Sequence, residues 1–108
     1  MSVDILEREI ESKFTEQMES LGCLVCKFVS PGKAGMPDRL VIIPGGKVWF
    51  AEMKRPGEKL RPLQVFWKKQ MESLGAKYYV VDSYKAIANV AADIKAEMEV
   101  VPDEVHTS

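Results

Sequence analysis

The chain has 108 residues, of which 46% are hydrophobic and 29% are charged, a balance typical of one folded domain with one modest core. Its formal net charge is −1, so the overall charge does not indicate nucleic-acid binding. No apolar run approaches the roughly 18 residues of a membrane helix, and the first residues lack a secretory pattern, so we expect a cytoplasmic protein.

Charge is distributed unevenly along the chain. Six acids and two basic residues lie between Asp4 and Ser20, whereas residues 53–69 contain six basic residues and one acid. A local basic stretch can hold phosphates even in a neutral chain, although a solvated surface of mixed charge would look the same.

The first predicted element is a helix over residues 3–21. Asp4 suits its N-cap and Gly22 its end. Glu7 and Glu11 lie at the edge of its apolar stripe, where a carboxylate either stays in solvent or points into a cleft. The stripe recurs at spacings of three and four residues and consists of Leu6, Ile10, Phe14, Met18 and Leu21.

Residues 23–29 predict a strand, and residues 30–37, with two glycines and two prolines, predict a loop. Lys33 at the loop tip either approaches a polyanion or remains a solvated side chain. Cys23 and Cys26 form a C-x-x-C pair, but their offset of three places the thiols on opposite faces of a strand. Because no second pair follows and the only histidine is His106, we interpret them as structural thiols.

The next two apolar runs, residues 40–43 and 48–51, predict a hairpin that turns at Pro44-Gly45-Gly46. With this turn, Ile43 faces Lys47. Both runs are apolar enough for central strands that are covered on both faces.

The same register places Asp38 opposite Glu52, and strand alternation adds Lys54 to the same face. All three lie at the end of the hairpin away from the turn. Opposed like charges destabilise a sheet, so we expect a cation or a raised pKa to compensate for the two acids.

A basic loop over residues 55–61 leads to a helix that begins at Pro62 and ends at Gly75. Gln64 in its first turn is either a surface residue or a hydrogen-bond donor to a phosphate or water. The apolar face of this helix is predicted to consist of Leu63, Phe66, Trp67, Met71 and Leu74. Residues 76–82 predict a fourth strand, and Ser83 caps a last helix.

The order is therefore helix, three strands, helix, strand, helix, which predicts an α/β fold with a mixed central sheet flanked by helices. We expect a single domain over residues 1–108, with a core over about residues 3–99 and a flexible tail over residues 102–108. Two neighbouring carboxylates suit a hard cation such as Mg²⁺ or Mn²⁺. A lysine and a basic loop beside them point to phosphodiester hydrolysis.

These residues carry a resemblance to a known family. Pro37-Asp38, thirteen further residues and then Glu52-Met53-Lys54 are similar to the PD-(D/E)XK motif of restriction-endonuclease-like nucleases. The sequence around this motif is more specific and resembles the VRR-NUC family, the virus-type replication-repair nucleases, over residues 7–83. It comprises Lys27-Phe28-Val29-Ser30-Pro31-Gly32, Gly35-Met36-Pro37-Asp38-Arg39-Leu40, Pro44-Gly45-Gly46, Pro56-Gly57 and Pro62-Leu63-Gln64.

The resemblance implies a restriction-endonuclease-like core and a role for particular residues. Asp38, Glu52 and the backbone carbonyl of Met53 would be metal ligands, and Lys54 would be the catalytic lysine. The family carries an acid on its first helix, for which Glu11 is the first candidate and Glu7 the second. Gln64 corresponds to a glutamine typical of the family.

The resemblance also implies a Mg²⁺- or Mn²⁺-dependent DNA endonuclease that prefers branched or four-way junction DNA and acts as a homodimer, as in stand-alone members. Backbone phosphates would be held by the basic residues Lys33, Arg55, Lys59 and Arg61. The alternative is a DNA-binding module whose nuclease-like fold has no activity. A sequence-specific restriction enzyme would need recognition loops for which this chain has no room.

Overall fold

The computed structural model describes residues 6–99. The predicted N-cap Asp4 and the predicted tail over residues 102–108 lie outside the described residues. The elements follow in the predicted order: α1 (Glu7–Ser20), β1 (Leu24–Lys27), β2 (Arg39–Ile42), β3 (Val48–Met53), α2 (Pro62–Ser73), β4 (Tyr78–Val81) and α3 (Tyr84–Met98). The α/β fold class is therefore confirmed.

The four strands form one mixed sheet in the order β1-β2-β3-β4. The pairs β1–β2 and β2–β3 are antiparallel, whereas β4 runs parallel to β3. A parallel neighbour requires a long crossover, and α2 supplies it. The hairpin strands β2 and β3 thus occupy the centre of the sheet, as the sequence predicts.

The predicted hairpin register is confirmed. Ile42 pairs with Val48, and the Ile43 N–H donates to the Lys47 carbonyl at 2.9 Å. Gly45 and Gly46 close the turn with φ values of 102° and 95°, a region that side chains with a Cβ rarely enter. This turn fixes the register of every later pair along β2 and β3, including the pairs at the end of the hairpin away from the turn.

The hydrophobic core lies on one face of the sheet, beneath α1 and α3. The inward stripe of α1 is Ile10, Phe14 and Met18, and that of α3 is Ile87, Val90, Ala91 and Ile94. The sheet contributes Val41, Ile43, Trp49, Ala51, Met53 and Val81 to the same cluster. Ser83 caps α3 as predicted, since its Oγ accepts from the Ala86 N–H at 3.0 Å.

The opposite face of the sheet is less covered than the sequence predicts. Leu24 and Val48 on this face are 54% and 42% exposed, and Leu40 and Ile42 are half-buried. The expectation that the hairpin strands are covered on both faces is wrong, because α2 is the one described helix on this side and packs against β4. An apolar part of the sheet is left accessible.

The buried side of α2 also differs from the prediction. Gln64 and Met71 are its buried residues, whereas the predicted apolar residues Leu63 and Phe66 are 47% and 48% exposed. The polar Gln64 takes an inward position because its partner, Glu52, lies beneath it in the sheet.

The two cysteines lie on opposite faces, as predicted. Cys23 belongs to the buried core, and Cys26 is half-buried on the other face, in register with Leu40. No helix among residues 6–99 is both long and apolar enough to cross a membrane.

Candidate active site

The candidate site lies at the end of the central hairpin away from its turn. The register of β2 and β3 runs to the pair Arg39–Ala51, and one further step brings Asp38 beside Glu52. The Met53 N–H donates to Asp38 Oδ1 at 3.1 Å, which joins the two strand ends. The predicted neighbourhood of the two acids is therefore present in the structure.

Glu52 is an acid buried in the sheet, with only 6% of its surface exposed. Its Oε2 accepts a hydrogen bond from Gln64 Nε2 at 3.0 Å. Its Oε1 is buried and has no hydrogen-bond partner among the described residues. A buried carboxylate oxygen without a partner is costly, so this atom is available to a ligand.

Gln64 links Glu52 to the first turn of α2. Its Oε1 accepts from the Arg61 N–H at 2.8 Å, while its Nε2 donates to Glu52. Both ends of the side-chain amide are thus engaged, and its orientation is fixed. The first-turn glutamine acts at once as a helix-capping residue and as a support for the acid.

Lys54 follows on the same strand face as Glu52 and is 3% exposed. Its backbone N–H donates to the Val81 carbonyl of β4 at 2.9 Å, which holds the residue beside the parallel neighbour strand. The charge of Lys54 acts on the neighbouring Glu52 and favours its ionised carboxylate.

The electrostatics of the two acids reflect this crowding. Burial raises the pKa of Glu52 to about 7, the charge of Asp38 adds to the rise, and Lys54 opposes it. Burial likewise raises the pKa of Asp38, although the Met53 N–H and Arg39 oppose the rise. Both carboxyl pKa values are thus shifted in the direction expected for two opposed acids that no cation compensates.

The two first-helix acids approach the site differently. Glu11 forms an ion pair with Arg39, with Oε1 2.7 Å from Nη2. Burial and a hydrogen bond with Glu11 raise the pKa of Glu7, whose charge in turn contributes to the raised pKa of Glu52. Both acids therefore lie near the sheet end that carries Asp38.

The four predicted phosphate-binding residues are all exposed and lie on two loops beside the site. Arg55, Lys59 and Arg61 belong to the loop between β3 and α2, and the charge of Arg61 reaches Glu52. Lys33 lies in the loop between β1 and β2, with its Nζ 5.4 Å from the centroid of the Trp67 ring. Trp67 Nε1 donates to the Ala34 carbonyl at 2.9 Å and ties this loop to α2.

The two carboxylates, Asp38 and Glu52, fit a hard cation whose remaining ligands come from water or substrate. Among residues 6–99, no group of three or more His, Cys, Asp or Glu side chains could hold a metal ion by itself. Mg²⁺ commonly uses one or two carboxylates and completes its shell with water and substrate phosphate. The unpartnered Glu52 Oε1 and the repulsion between the two acids are features that such a cation would relieve.

Comparison with known proteins adds an independent observation. The chain is 43% identical over 79 residues to "Putative nuclease p44" of Acyrthosiphon pisum secondary endosymbiont phage 1, covering 73% of this chain and 85% of the relative. A solved VRR-NUC domain superposes with a TM-score of 0.73 at 35% identity, covering 78% of this chain and 91% of that structure. The chain belongs to the VRR-NUC family of nucleases.

No family model matched the sequence. The VRR-NUC assignment therefore rests on the phage relative and on the solved domain, which confirm the resemblance and the nuclease class. They also confirm the restriction-endonuclease-like fold.

Sequence reasoning about this VRR-NUC chain missed two buried polar residues near the site. Arg39 is 8% exposed and contacts both Asp38 and Glu11. The signal was available, because Arg39 shares its strand face with the core residues Val41 and Ile43, where an arginine needs a partner. Tyr78 is also buried, and its hydroxyl has no partner among the described residues. Its apolar context in β4 gave no such signal.

Proposed function

We propose that the chain is a divalent-metal-dependent DNA endonuclease that acts on branched DNA as a homodimer. The observation that carries this proposal is the buried Glu52 beside the half-buried Asp38, with Lys54 on the same strand face as Glu52. Nuclease chemistry needs a group that neutralises phosphate charge and a group that prepares the attacking water.

Mg²⁺ or Mn²⁺ would be held by the carboxylates of Asp38 and Glu52 and by the backbone carbonyl of Met53. Bound there, the ion would polarise the phosphoryl oxygen and acidify a water molecule. Support comes from Glu52 Oε1, which is buried without a partner among the described residues, and from the raised pKa of Glu52. A cation favours the ionised form of both carboxylates.

Lys54 orients the attacking water and offsets the negative charge that develops on the scissile phosphate. Its burial supports this role, since a desolvated ammonium group interacts more strongly with charge than one in water. Gln64 holds Glu52 through its 3.0 Å hydrogen bond, so that the free oxygen keeps a defined direction. The acids Glu11 and Glu7 of α1 add negative charge at the edge of the site.

DNA is held by its backbone through Lys33, Arg55, Lys59 and Arg61. These side chains are exposed on the two loops that flank the acids, so a duplex or a branch can reach them without a change in the fold. Phosphate contacts position a substrate without reading its sequence. Recognition by shape rather than by sequence is therefore expected.

Two copies are needed to cut two symmetric strands of a branched DNA, because each chain has one site. The face of the sheet that carries the exposed side chains of Leu24 and Val48 supports a pairing with a second copy. An accessible apolar sheet face commonly marks an interaction surface.

The test is cleavage of a four-way junction, a flap, a linear duplex and a single strand, each with Mg²⁺, with Mn²⁺ and with chelator. Asp38→Ala, Glu52→Ala and Lys54→Ala should each abolish cleavage, whereas Lys95→Ala, an exposed charge on α3, should cut like wild type. Equal cleavage by wild type and all three site variants would refute the assignment of these residues.

The alternative, a DNA-binding module without activity, predicts a different outcome. Such a module binds the junction, retains binding in all three site variants and cuts nothing with either metal. The intact set of Asp38, Glu52 and Lys54 argues against it, because a binding module has no use for a buried acid held beside a second, repelling acid.

A further inference from the structure

Arg39 is a buried charge for which the proposed chemistry has no role. It opens β2, and its side chain lies on the sheet face that α1 covers, whereas Glu52 and Lys54 lie on the opposite face. At 8% exposure its guanidinium is removed from water, so its hydrogen-bond partners determine where it points.

Those partners are Asp38 and Glu11. Arg39 Nη1 donates to the Asp38 carbonyl at 3.0 Å and lies 3.6 Å from Asp38 Oδ2, while Nη2 lies 2.7 Å from Glu11 Oε1. The Asp38 carbonyl also accepts from the Phe28 N–H at 2.9 Å. Arg39 thus fixes both the backbone and the carboxylate of Asp38 from the α1 side.

The distances also assign a part to Glu11. The guanidinium is closer to the Glu11 carboxylate than to Asp38 Oδ2, so its main charge partner is Glu11. A planar guanidinium that is engaged by one carboxylate has its remaining donors in a fixed direction. Glu11 therefore sets the orientation of Arg39 and limits how far Arg39 neutralises Asp38.

We infer that Arg39 is a positioning residue for Asp38, and that Glu11 acts through Arg39 instead of contacting metal or substrate. This inference rests on the proposed function, in which Asp38 is a metal ligand. It gives the first-helix acid Glu11 an indirect role and leaves Glu7 as the acid whose charge acts on Glu52.

The experiment is a double-mutant cycle on the full chain with Glu11→Gln, Arg39→Met and the combined variant. Three quantities are measured: Mn²⁺ binding without DNA by calorimetry, the metal concentration for half-maximal junction cleavage, and the thermal midpoint in chelator. Each single variant should weaken Mn²⁺ binding about 10- to 100-fold, as expected when a residue that orients a ligand is lost. In the Arg39→Met background, Glu11→Gln should cause no further loss.

Matched variants separate positioning from simple loss of fold. Lys13→Met removes the cation of the exposed Lys13–Glu16 pair on the same helix and should leave metal binding unchanged. Arg39→Lys keeps the charge but not the planar fork, and should fall between wild type and Arg39→Met in metal affinity at an unchanged thermal midpoint.

The outcomes are distinguishable. Losses that multiply in the combined variant would mean that Glu11 contacts the metal or substrate directly, which overturns the inference. Wild-type Mn²⁺ affinity in Arg39→Met and Arg39→Lys would also overturn it, while inactive Asp38→Ala would leave the proposed function standing. Full activity of Asp38→Ala would refute the proposed function itself.

Discussion

Glu52 combines burial with a neighbouring carboxylate, and the two together raise its pKa from 4.5 to about 7. Between these values the folded, metal-free protein binds a proton that the unfolded chain has released. The folded state binds more protons in this window, so its stability falls as the pH rises. Below pH 4.5 both states are protonated, and the stabilising effect of the neutral carboxyl group is fully present.

We therefore expect the free energy of unfolding in chelator to fall by up to about 3 kcal/mol between pH 4.5 and pH 7 through Glu52 alone. Glu52→Gln cannot ionise and should lose most of this pH dependence. Urea unfolding at pH 5 and pH 8 measures the effect in both proteins. The same slope in wild type and variant would contradict the raised pKa.

Gln64 has the same chemistry as Gln70 on the same helix but a different environment. Gln64 is 4% exposed and bonded at both ends of its amide, whereas Gln70 is exposed. Gln64→Leu should lower the free energy of unfolding by about 1–3 kcal/mol, because it leaves Glu52 and the Arg61 N–H without this partner. Gln70→Leu should change it by less than about 0.5 kcal/mol. Chemical denaturation of both variants provides the comparison.

The positions of the two acids could be predicted from the sequence because a three-residue turn and strand alternation fix them. The sequence does not show which carboxylate pairs with the buried Arg39. Its partner Glu11 is 28 positions earlier in the chain and belongs to a different element. Hydrophobic patterning shows that an arginine on a core-facing position needs a carboxylate. It does not show which one.

At the scale of elements, the loop between β1 and β2 is held against α2 by close contact at Gly35. A Cβ at this position would lie 2.9 Å from Leu63 Cγ, and the φ of 91° disfavours any side chain. Gly32 in the same loop has no heavy atom within 4 Å of the corresponding position and no positive φ. The two glycines form a matched pair.

Gly35→Ala should lower the free energy of unfolding by about 1–3 kcal/mol, whereas Gly32→Ala should be neutral or slightly stabilising. Thermal melts of the two variants test this expectation. The Trp67–Ala34 hydrogen bond depends on the same contact, so the fluorescence of Trp67 should change in Gly35→Ala and not in Gly32→Ala. Similar stability of both variants would show that the loop does not depend on this contact.

The orientation of α2 shows why periodicity succeeded for two helices and failed for the third. α1 and α3 bury the central residues of their apolar stripes, because each faces an apolar sheet surface, whereas Leu6 at the start of the α1 stripe is 41% exposed. α2 faces Glu52, and Gln64 turns inward to bond it while Leu63 and Phe66 remain half exposed. A helix that supports a polar site is positioned by that site, and hydrophobic patterning does not contain this information.

For the whole molecule, the accessible apolar face of the sheet leads to a prediction about assembly. Light scattering should give a mass of twice the 12.2 kDa of one chain. Leu24→Lys should lower this mass towards that of one chain, because a charge in an apolar interface is costly. Ala88→Lys, on the exposed side of α3, should leave it unchanged. A single-chain mass for wild type at all concentrations would contradict the dimer.

Binding of DNA should weaken steeply as the salt concentration rises, because phosphate contacts release counterions. Replacing Arg55 and Lys59 with alanine should reduce the slope of log K against log salt by about 2, since each phosphate contact contributes roughly 0.9. Lys95→Ala on α3 should leave the slope unchanged. Fluorescence anisotropy at several salt concentrations measures it, and an unchanged slope in the double variant would exclude these two residues from the DNA contact.

The parallel pairing of β4 with β3 has a consequence for the timing of activity during synthesis. The hairpin that carries Asp38 and Glu52 forms from residues close together in the chain, whereas Lys54 is held by Val81, which the ribosome adds later. Local contacts form before long-range ones, because their loop-closure entropy is smaller. In a nascent chain, the hairpin therefore brings both acids together well before the later segments that bury them have folded. If Lys54 serves the nuclease reaction as proposed, activity is expected only after β4 has docked, at the completion of folding.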